Sequence, residues 1–230
     1  MQQHAAYAVL FDLDGTLVQS DDLYYRATQS MLDWVGRSLD ELTPEERSRI
    51  PGRSALENMR FYSERFGLPQ PVEARVDRRM DDVCRMLEEE GVMLVPGARE
   101  ILESLRFADV PVALASSSPE RYVSRVLQVT ALGEFFQVVK TGDDVTCYKP
   151  DPEIFLSAAK DLGIPAERCL VVEDAHSGIL AGKAAGMKVL AIESEVTLPH
   201  QAALADRQVR DFCGLVARDL VAIIHGVPLV

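Results

Sequence analysis

The sequence predicts an α/β protein built on a parallel β-sheet, and two observations lead to this prediction. Short strand-like segments alternate with longer stretches in which apolar residues recur every three or four positions, the period of a helix. The strand-like segments are almost uninterrupted apolar runs, as expected for strands that helices cover on both faces. Such alternation is typical of βαβ units and therefore indicates a Rossmann-like parallel sheet core.

Five segments share the apolar, β-prone character of buried strands: Ala8–Leu13, Pro111–Ala115, Phe136–Lys140, Leu170–Val172 and Lys188–Ile192. Three stretches with helical periodicity lie between the later strands: residues 96–109, 118–132 and 151–164. Because each strand after the second is reached through a helix or a long connection, the strands are expected to run parallel.

Residues 21–90 interrupt this alternation. They contain three helix-like stretches, residues 23–35, 54–66 and 72–90, and no convincing strand. So many helical residues exceed what one crossover connection needs. We therefore predict a helical insertion at residues 19–93 and an α/β core formed by residues 1–18 and 94–230. The alternative is that these helices simply pack on one face of the sheet.

Composition narrows the possible classes of partner and compartment. A chain of 230 residues can bury a sizeable core, and its formal net charge of −12 argues against general nucleic-acid binding. The four scattered cysteines form no CxxC pair, which fits a reducing cytoplasm without disulfides or a zinc site. No apolar run approaches a membrane span, and the N-terminus does not have the pattern of a signal peptide. We expect a cytoplasmic monomer with no membrane partner.

Two carboxylates end the first predicted strand, in the sequence YAVLFDLDGTLV. Asp12 and Asp14 lie one residue apart, and Gly15 follows at once and allows a tight turn. Ligands of open parallel sheets bind at the carboxyl ends of the strands, so both aspartates are expected in a site. Two carboxylates that close repel each other unless a cation lies beside them. A hard cation such as Mg²⁺, which prefers oxygen ligands, fits this need.

Polar residues also follow the other predicted strands. Ser116 ends the second strand, Lys149 precedes a predicted helix start at Pro150–Pro152, and Glu173 and Asp174 end the fourth strand. Taken singly, these residues have ordinary explanations as a helix N-cap, a surface lysine and a solvated acidic loop. Taken together, one lysine, one serine and four carboxylates at one edge of the sheet predict a phosphate site with a metal ion.

Four sequence stretches carry a resemblance to a known family: DLDGT at the first strand, ASS at the second, then KPDP and EDAHSGILAGKAAGM. Their order resembles that of the haloacid dehalogenase-like (HAD) hydrolase superfamily, with its phosphoglycolate phosphatase and β-phosphoglucomutase relatives. The match covers nearly the whole chain, and the insertion lies where that superfamily has its helical cap. The resemblance implies a Mg²⁺-dependent phosphatase that hydrolyses a small phosphorylated metabolite through an aspartyl-phosphate intermediate.

The resemblance also implies a role for each motif residue. Asp12 is the expected nucleophile, and Asp14 is the expected general acid and then general base. Thr16 and Ser116 are expected to orient Asp14 and the phosphoryl oxygens. Lys149 is expected to neutralise charge between the nucleophile and the phosphate.

The implied metal site consists of four acidic residues. Mg²⁺ is expected to bind to Asp12, to the backbone carbonyl of Asp14 and to Asp174. Glu173 is expected to ligate it either directly or through water.

The expected substrate contacts are Ser117 and Arg53. Ser117 follows the serine of the second motif, and Arg53 follows Pro51–Gly52 in a loop that relatives direct toward the leaving group. Arg53 also lies at a predicted helix start, where a cation is mildly unfavourable, and this favours a binding role over that of a surface charge.

Several chemistries of the superfamily are disfavoured by single positions. Dehalogenating relatives lack the aspartate that is Asp14 here, and phosphonate hydrolases need a lysine in the cap, whereas residues 19–93 contain none. Mutases of the β-phosphoglucomutase type carry a cap histidine where Tyr24 stands. Gln19 replaces an acidic residue usual in this subfamily. A phosphosugar mutase and a catalytically silent binding module remain as alternatives to a phosphatase.

Overall fold

The computed structural model describes residues 7–47, 50, 54–194, 197 and 199–226 of the chain. Its strands in chain order are β1 (Ala8–Phe11), β2 (Val112–Ala115), β3 (Val138–Lys140), β4 (Cys169–Glu173), β5 (Lys188–Ile192) and β6 (Arg207–Val209). They form one parallel sheet in the order β3-β2-β1-β4-β5-β6. The chain thus builds outward from β1 in both directions, which makes the carboxyl ends of β1 and β4 the expected ligand crevice.

The described part of the chain forms ten α-helices: α1 (Asp21–Asp33), α2 (Pro44–Arg47), α3 (Ala55–Phe66), α4 (Val72–Glu90), α5 (Ala98–Phe107), α6 (Glu120–Thr130), α7 (Glu153–Leu162), α8 (His176–Ala184), α9 (Pro199–Ala202) and α10 (Ala217–Ile224). Helices and strands alternate from α5 onward, so the predicted α/β class is confirmed. No helix in the ranges given above combines the length and the apolar character that crossing a membrane requires.

The five predicted strands are all present, with ends shifted by up to two residues. The largest shifts are that β1 ends at Phe11 rather than Leu13 and that β3 begins at Val138 rather than Phe136. β6 was not predicted. It has only three residues, Arg207, Gln208 and Val209, and none of them is fully buried because the strand lies at the edge of the sheet.

The side chains of β1 alternate between two hydrophobic clusters, one on each face of the sheet. Val9 and Phe11 belong to the cluster that α5, α6 and α10 cover. Ala8 and Leu10 belong to the cluster that α7 and α8 cover. Burial on both faces explains why the central strands have almost continuous apolar sequences.

Helices α1 to α4 follow β1 without any strand between them. Helices α1, α3 and α4 share a hydrophobic cluster of their own, which includes Leu32, Met59 and Phe66. Other side chains of α1 and α4, among them Leu23 and Val83, join the main core instead. The helical segment therefore has a separate core and also packs directly against the α/β part, with α4 against α6.

The two connections to this helical segment lie side by side. Val18 and Leu94 form an antiparallel bridge. The backbone N–H of Gln19 donates to the carbonyl of Met93 at 2.8 Å, and that of Val95 donates to the carbonyl of Leu17 at 2.9 Å. The chain therefore leaves the α/β part and returns to it at one place.

Candidate active site

A cavity of about 540 Å³ lies between the carboxyl ends of the strands and the helical segment. Its strand-end wall includes all the charged residues that the motifs singled out: Asp12, Asp14, Lys149, Glu173 and Asp174. Ser116 and Ser117 line it beside them. Helices α1, α3 and α4 supply the opposite wall, so that residues distant in the sequence share one site.

Lys149 connects three elements at the strand-end wall. Its Nζ donates to Asp12 Oδ1 at 2.5 Å, to Glu173 Oε1 at 2.7 Å and to the carbonyl of Ala115 at 2.9 Å. The lysine side chain is 2% exposed and that of Glu173 is 1% exposed. A buried ammonium with three acceptors is fully satisfied, so its position at the end of β1 is fixed.

Burial and neighbouring charges shift the pKa values of these groups. Burial alone would lower the pKa of Lys149, but Asp12 and Glu173 outweigh it and raise that pKa above its usual range. Burial raises the pKa of Asp12 to about 8, although Lys149 opposes the shift. Burial, with Glu173 and Asp12 nearby, raises the pKa of Asp174 well above its usual value. The positive charge of Lys149 is therefore not enough to neutralise all the carboxylates of the strand-end wall.

Oxygen atoms of Asp12, Glu173 and Asp174 all lie within 4.8 Å of one another. The backbone approaches this group closely at two glycines. A Cβ at Gly15, whose φ is +80°, would lie 2.3 Å from Asp174 Oδ2, and one at Gly178 would lie 1.7 Å from Glu173 Oε1. Three buried carboxylates, of which only Asp12 and Glu173 contact Lys149, form a donor set that fits a hard divalent cation.

The Asp14 carboxylate accepts three side-chain hydrogen bonds. Ser20 Oγ and Tyr122 OH donate to Oδ1 at 2.6 and 2.7 Å, and Ser118 Oγ donates to Oδ2 at 2.8 Å. The Tyr24 hydroxyl lies 3.3 Å from Ser118 Oγ. Burial and the Asp14 charge raise the pKa of Tyr122 well above its usual range, so its hydroxyl remains a donor. None of these three donors was predicted from the sequence.

The hydroxyl groups of Thr16 and Ser116 contact groups other than Asp14, and their expected contact with the phosphoryl oxygens stays a prediction. Thr16 Oγ1 donates to Asp174 Oδ1 at 3.1 Å instead. Ser116 Oγ accepts from the backbone N–H of Ser118 at 3.1 Å, which holds the turn after β2. The hydroxyl of Thr16 lies after the Gly15 turn and therefore reaches the end of β4 rather than the Asp14 carboxylate.

The structure describes only one of the two predicted substrate contacts. Ser117 lines the cavity beside Ser116. Arg53 lies outside the described residues, so its role stays a prediction.

Residues 9–192 match the family model described as haloacid dehalogenase-like hydrolase. The bifunctional riboflavin kinase/FMN phosphatase of Arabidopsis thaliana is 33% identical over 204 residues, which cover 87% of this chain. The match covers only 52% of that relative, so the chain spans about half its length. A phosphorylated carbohydrates phosphatase of Thermotoga maritima is 32% identical over 181 residues, or 79% of this chain and 82% of that protein.

A similar solved structure is that of CbbY from Rhodobacter sphaeroides, a mutant in complex with xylulose-(1,5)bisphosphate. It superposes with a TM-score of 0.81 at 25% sequence identity, and the match covers 91% of this chain and 96% of that one. The similarity therefore includes most of the helical segment as well as the sheet.

Proposed function

The chain belongs to the haloacid dehalogenase-like hydrolase family, and from this premise we propose that it hydrolyses a small phosphorylated metabolite with Mg²⁺, through an aspartyl-phosphate. The family predicted from the four motifs is thereby confirmed. The observation that carries the proposal is the position of Asp12, which follows β1 at the sheet crevice and is held by Lys149 beside Glu173 and Asp174.

In the proposed first step, an Asp12 carboxylate oxygen attacks phosphorus while the bond from phosphorus to the leaving oxygen breaks. Asp14 donates a proton to that leaving oxygen, which departs as an alcohol. In the second step a water oxygen attacks phosphorus, the bond to Asp12 breaks, and Asp14 takes the proton from the water. Lys149, already in contact with Asp12, stabilises the negative charge that develops between the carboxylate and the phosphoryl group.

The proposed metal ligands are Asp12, the backbone carbonyl of Asp14 and Asp174. Both carboxylate oxygens of Glu173 already accept hydrogen bonds, from Lys149 and from the backbone N–H of Ala175 at 2.9 Å. These contacts favour a role for Glu173 in bracing Lys149 and in reaching the metal through water. When bound, Mg²⁺ offsets negative charge on the carboxylates and on the phosphoryl oxygens.

We further propose that residues 19–93 form a cap over a core of residues 1–18 and 94–230. The paired connections at Leu17–Gln19 and Met93–Val95 support these boundaries. The separate hydrophobic cluster of the helical segment supports its treatment as a unit. In this arrangement the cap wall contacts the part of the substrate that departs as the alcohol, and Ser117 contacts the phosphoryl side.

The proposal is tested by phosphate release from an aryl phosphate, with Mg²⁺ and with a chelator. Asp12→Asn keeps the side-chain volume but removes the attacking charge, so Mg²⁺-dependent release should fall to background. Asp14→Asn keeps the nucleophile, so a phosphoenzyme should accumulate because its hydrolysis slows. Asp33→Asn, at the exposed end of α1, serves as the matched control and should behave like the parent.

Retention of more than a few per cent of the parent rate by Asp12→Asn would contradict the assignment of the nucleophile. Product analysis separates the alternatives. Free phosphate indicates a phosphatase, an isomerised sugar phosphate indicates a mutase, and binding of phosphorylated compounds without turnover indicates a silent binding module.

A further inference from the structure

The cap wall of the cavity carries a buried cation without an anionic partner. Arg79, on α4, is only 6% exposed and lines the cavity. It pairs with no carboxylate in the described part of the chain, and its contact is with the ring of Tyr24, whose centroid lies 5.3 Å from Arg79 Cζ. Burial of a guanidinium without a counter-charge is unfavourable. An anion that enters the cavity would relieve this cost.

The neighbouring arginines of the same helix show that this arrangement is particular to Arg79. Arg85 forms ion pairs with Asp82 and Glu89 on the surface of α4. Arg78 is exposed and lies over the ring of Trp34, which is itself 81% exposed. Arg79 alone of these three faces the cavity.

A second polar group of the cap wall also lacks a partner. Asn58, on α3, lines the cavity and is 7% exposed. Its Nδ2 donates to the carbonyl of Ile50 at 3.0 Å, which fixes the orientation of the amide. Its Oδ1 accepts no hydrogen bond from the described residues. A buried acceptor without a donor costs free energy, so this position fits a donor supplied by a ligand, such as a hydroxyl group.

Arg79 is separated from the strand-end wall by an aromatic side chain. The Tyr24 ring lies beneath the guanidinium, and the Tyr24 hydroxyl lies 3.3 Å from Ser118, which in turn contacts Asp14. Lys149 already contacts Asp12, the proposed nucleophile, at the strand-end wall of the cavity. The guanidinium is therefore placed for a group of the substrate other than the phosphoryl group that is transferred.

We propose that Arg79 binds a second anionic group of the substrate, a phosphate or a carboxylate, and that Asn58 accepts a hydrogen bond from a hydroxyl group of that substrate. The preferred substrates are thus small hydroxylated phosphate esters with a second negative charge. This inference rests on the proposed phosphatase function and names its substrate class. A cavity of about 540 Å³ has room for such a compound.

The first test compares matched pairs of substrates. Fructose 1,6-bisphosphate against fructose 6-phosphate tests a second phosphate, and phosphoglycolate against ethyl phosphate tests a carboxylate. The parent should prefer the doubly anionic member in at least one pair. Arg79→Gln should lower that ratio of kcat/KM values by roughly 10- to 100-fold, the loss expected for a charge-assisted bidentate contact.

Two further variants sharpen the comparison. Arg79→Lys keeps the charge but not the planar fork, so its ratio should lie between those of the parent and Arg79→Gln. If Arg79→Gln does not fold, the ratio for Arg79→Lys decides the question. Arg78→Gln removes an arginine one position away on the outer surface, and it should leave the ratio unchanged.

A binding measurement makes the test independent of turnover. In the Asp12→Asn background, calorimetric titration of the same four compounds should show tighter binding of the doubly anionic member, and addition of Arg79→Gln should abolish that preference. If no compound is hydrolysed by the parent but this preference holds, the proposed function fails and the inference stands. An unchanged ratio in Arg79→Gln, or an equal loss for both members of each pair, would overturn the inference.

Discussion

At the scale of single residues, the site depends on how each carboxylate is held. Asp12 contacts Lys149, Asp174 accepts from Thr16, and Asp14 accepts from Ser20, Ser118 and Tyr122. A group that first gives and then takes a proton must stay within reach of two different oxygens. The three donors fix the Asp14 carboxylate beside the cavity, and Tyr122 is the bulkiest of them and as fully buried as Ser20.

Tyr122→Phe removes one donor to Asp14 and keeps the ring in the core. A hydrogen bond to a charged group contributes about 1.5–3 kcal/mol, so we expect kcat on an aryl phosphate to fall by roughly 10- to 100-fold, with a smaller change in KM. Tyr148→Phe, which removes a hydroxyl from an exposed ring, is the control. An unchanged kcat for Tyr122→Phe would mean that Ser20 and Ser118 suffice to position Asp14.

The strand-end residues of the site could be predicted because their signal is local. A carboxylate at the end of an apolar strand or directly after it, as at Glu173 or Asp12, can be recognised from a few residues of sequence. The donors to Asp14 have no such signal. Ser118 and Tyr122 are 104 and 108 residues away from it in the chain. Tyr122 also occupies an apolar position of an amphipathic helix, where a core role is the ordinary interpretation.

At the scale of elements, the predictability of a strand follows its place in the sheet. The central strands β1, β4 and β5 are buried on both faces, so they are apolar except for Glu173 and Lys188 at strand ends, and they were found from the sequence. β6 pairs on one side only and contains a single apolar residue, Val209. Contacts that cannot be predicted from the sequence of β6 hold the strand in place. Among them are those of Asp206, the residue before it.

Asp206 ties the start of β6 to β5 and α8. It accepts from Lys183 at 2.7 Å, from Lys188 at 2.9 Å and from the backbone N–H of Val189 at 2.9 Å. Burial alone would raise the pKa of Asp206, but these donors outweigh it and lower that pKa to about 2. A carboxyl group whose pKa is lower in the folded state stabilises the fold above its unfolded pKa, and this contribution is lost as the pH falls toward the folded pKa.

Asp206→Asn should therefore lower the free energy of unfolding by about 2 kcal/mol near pH 7, at about 1.4 kcal/mol per pKa unit. The difference between parent and variant should stay constant down to about pH 5 and shrink by about half near pH 3. Urea unfolding at several pH values measures it. Asp211→Asn, in the loop after β6, provides the comparison. A difference that did not change with pH would show that Asp206 acts through packing rather than charge.

At the scale of the whole molecule, the helical segment and the α/β part are joined by packing and by charge. Arg121 on α6 contacts Asp77 and Asp81 on α4 at 3.1 and 3.0 Å, and Arg125 pairs with Glu88. Exposed pairs of this kind contribute little each. The buried charges at the cavity matter more, because Asp12, Glu173 and Asp174 lie close together and Lys149 pairs with only the first two.

Mg²⁺ should stabilise the folded protein by relieving that crowding. At a concentration of about 100 times Kd, binding adds about 2.7 kcal/mol, which for a chain of this size raises Tm by roughly 5–10 °C over the chelator-treated protein. Asp174→Asn should lose this response. Its Tm without Mg²⁺ should equal or exceed that of the parent, because one buried negative charge is gone.

Thermal unfolding with Mg²⁺, with chelator and with NaCl at matched ionic strength gives the comparison. Asp161→Asn, which removes an exposed carboxylate paired with Lys140, is the control variant and should respond to Mg²⁺ as the parent does. An equal rise in Tm for the parent and Asp174→Asn would place the cation elsewhere.

The adjacent connections at Leu17–Gln19 and Met93–Val95 have a consequence for how such a chain can change during evolution. A segment whose two ends are neighbours can be lengthened, shortened or exchanged while the strands on either side keep their register. The reason is that the α/β part needs only a short connection between Val18 and Leu94. The reacting groups lie almost entirely outside that segment, whereas Arg79 and Asn58 lie within it. Recombination at this one junction would transfer a new selectivity onto unchanged chemistry.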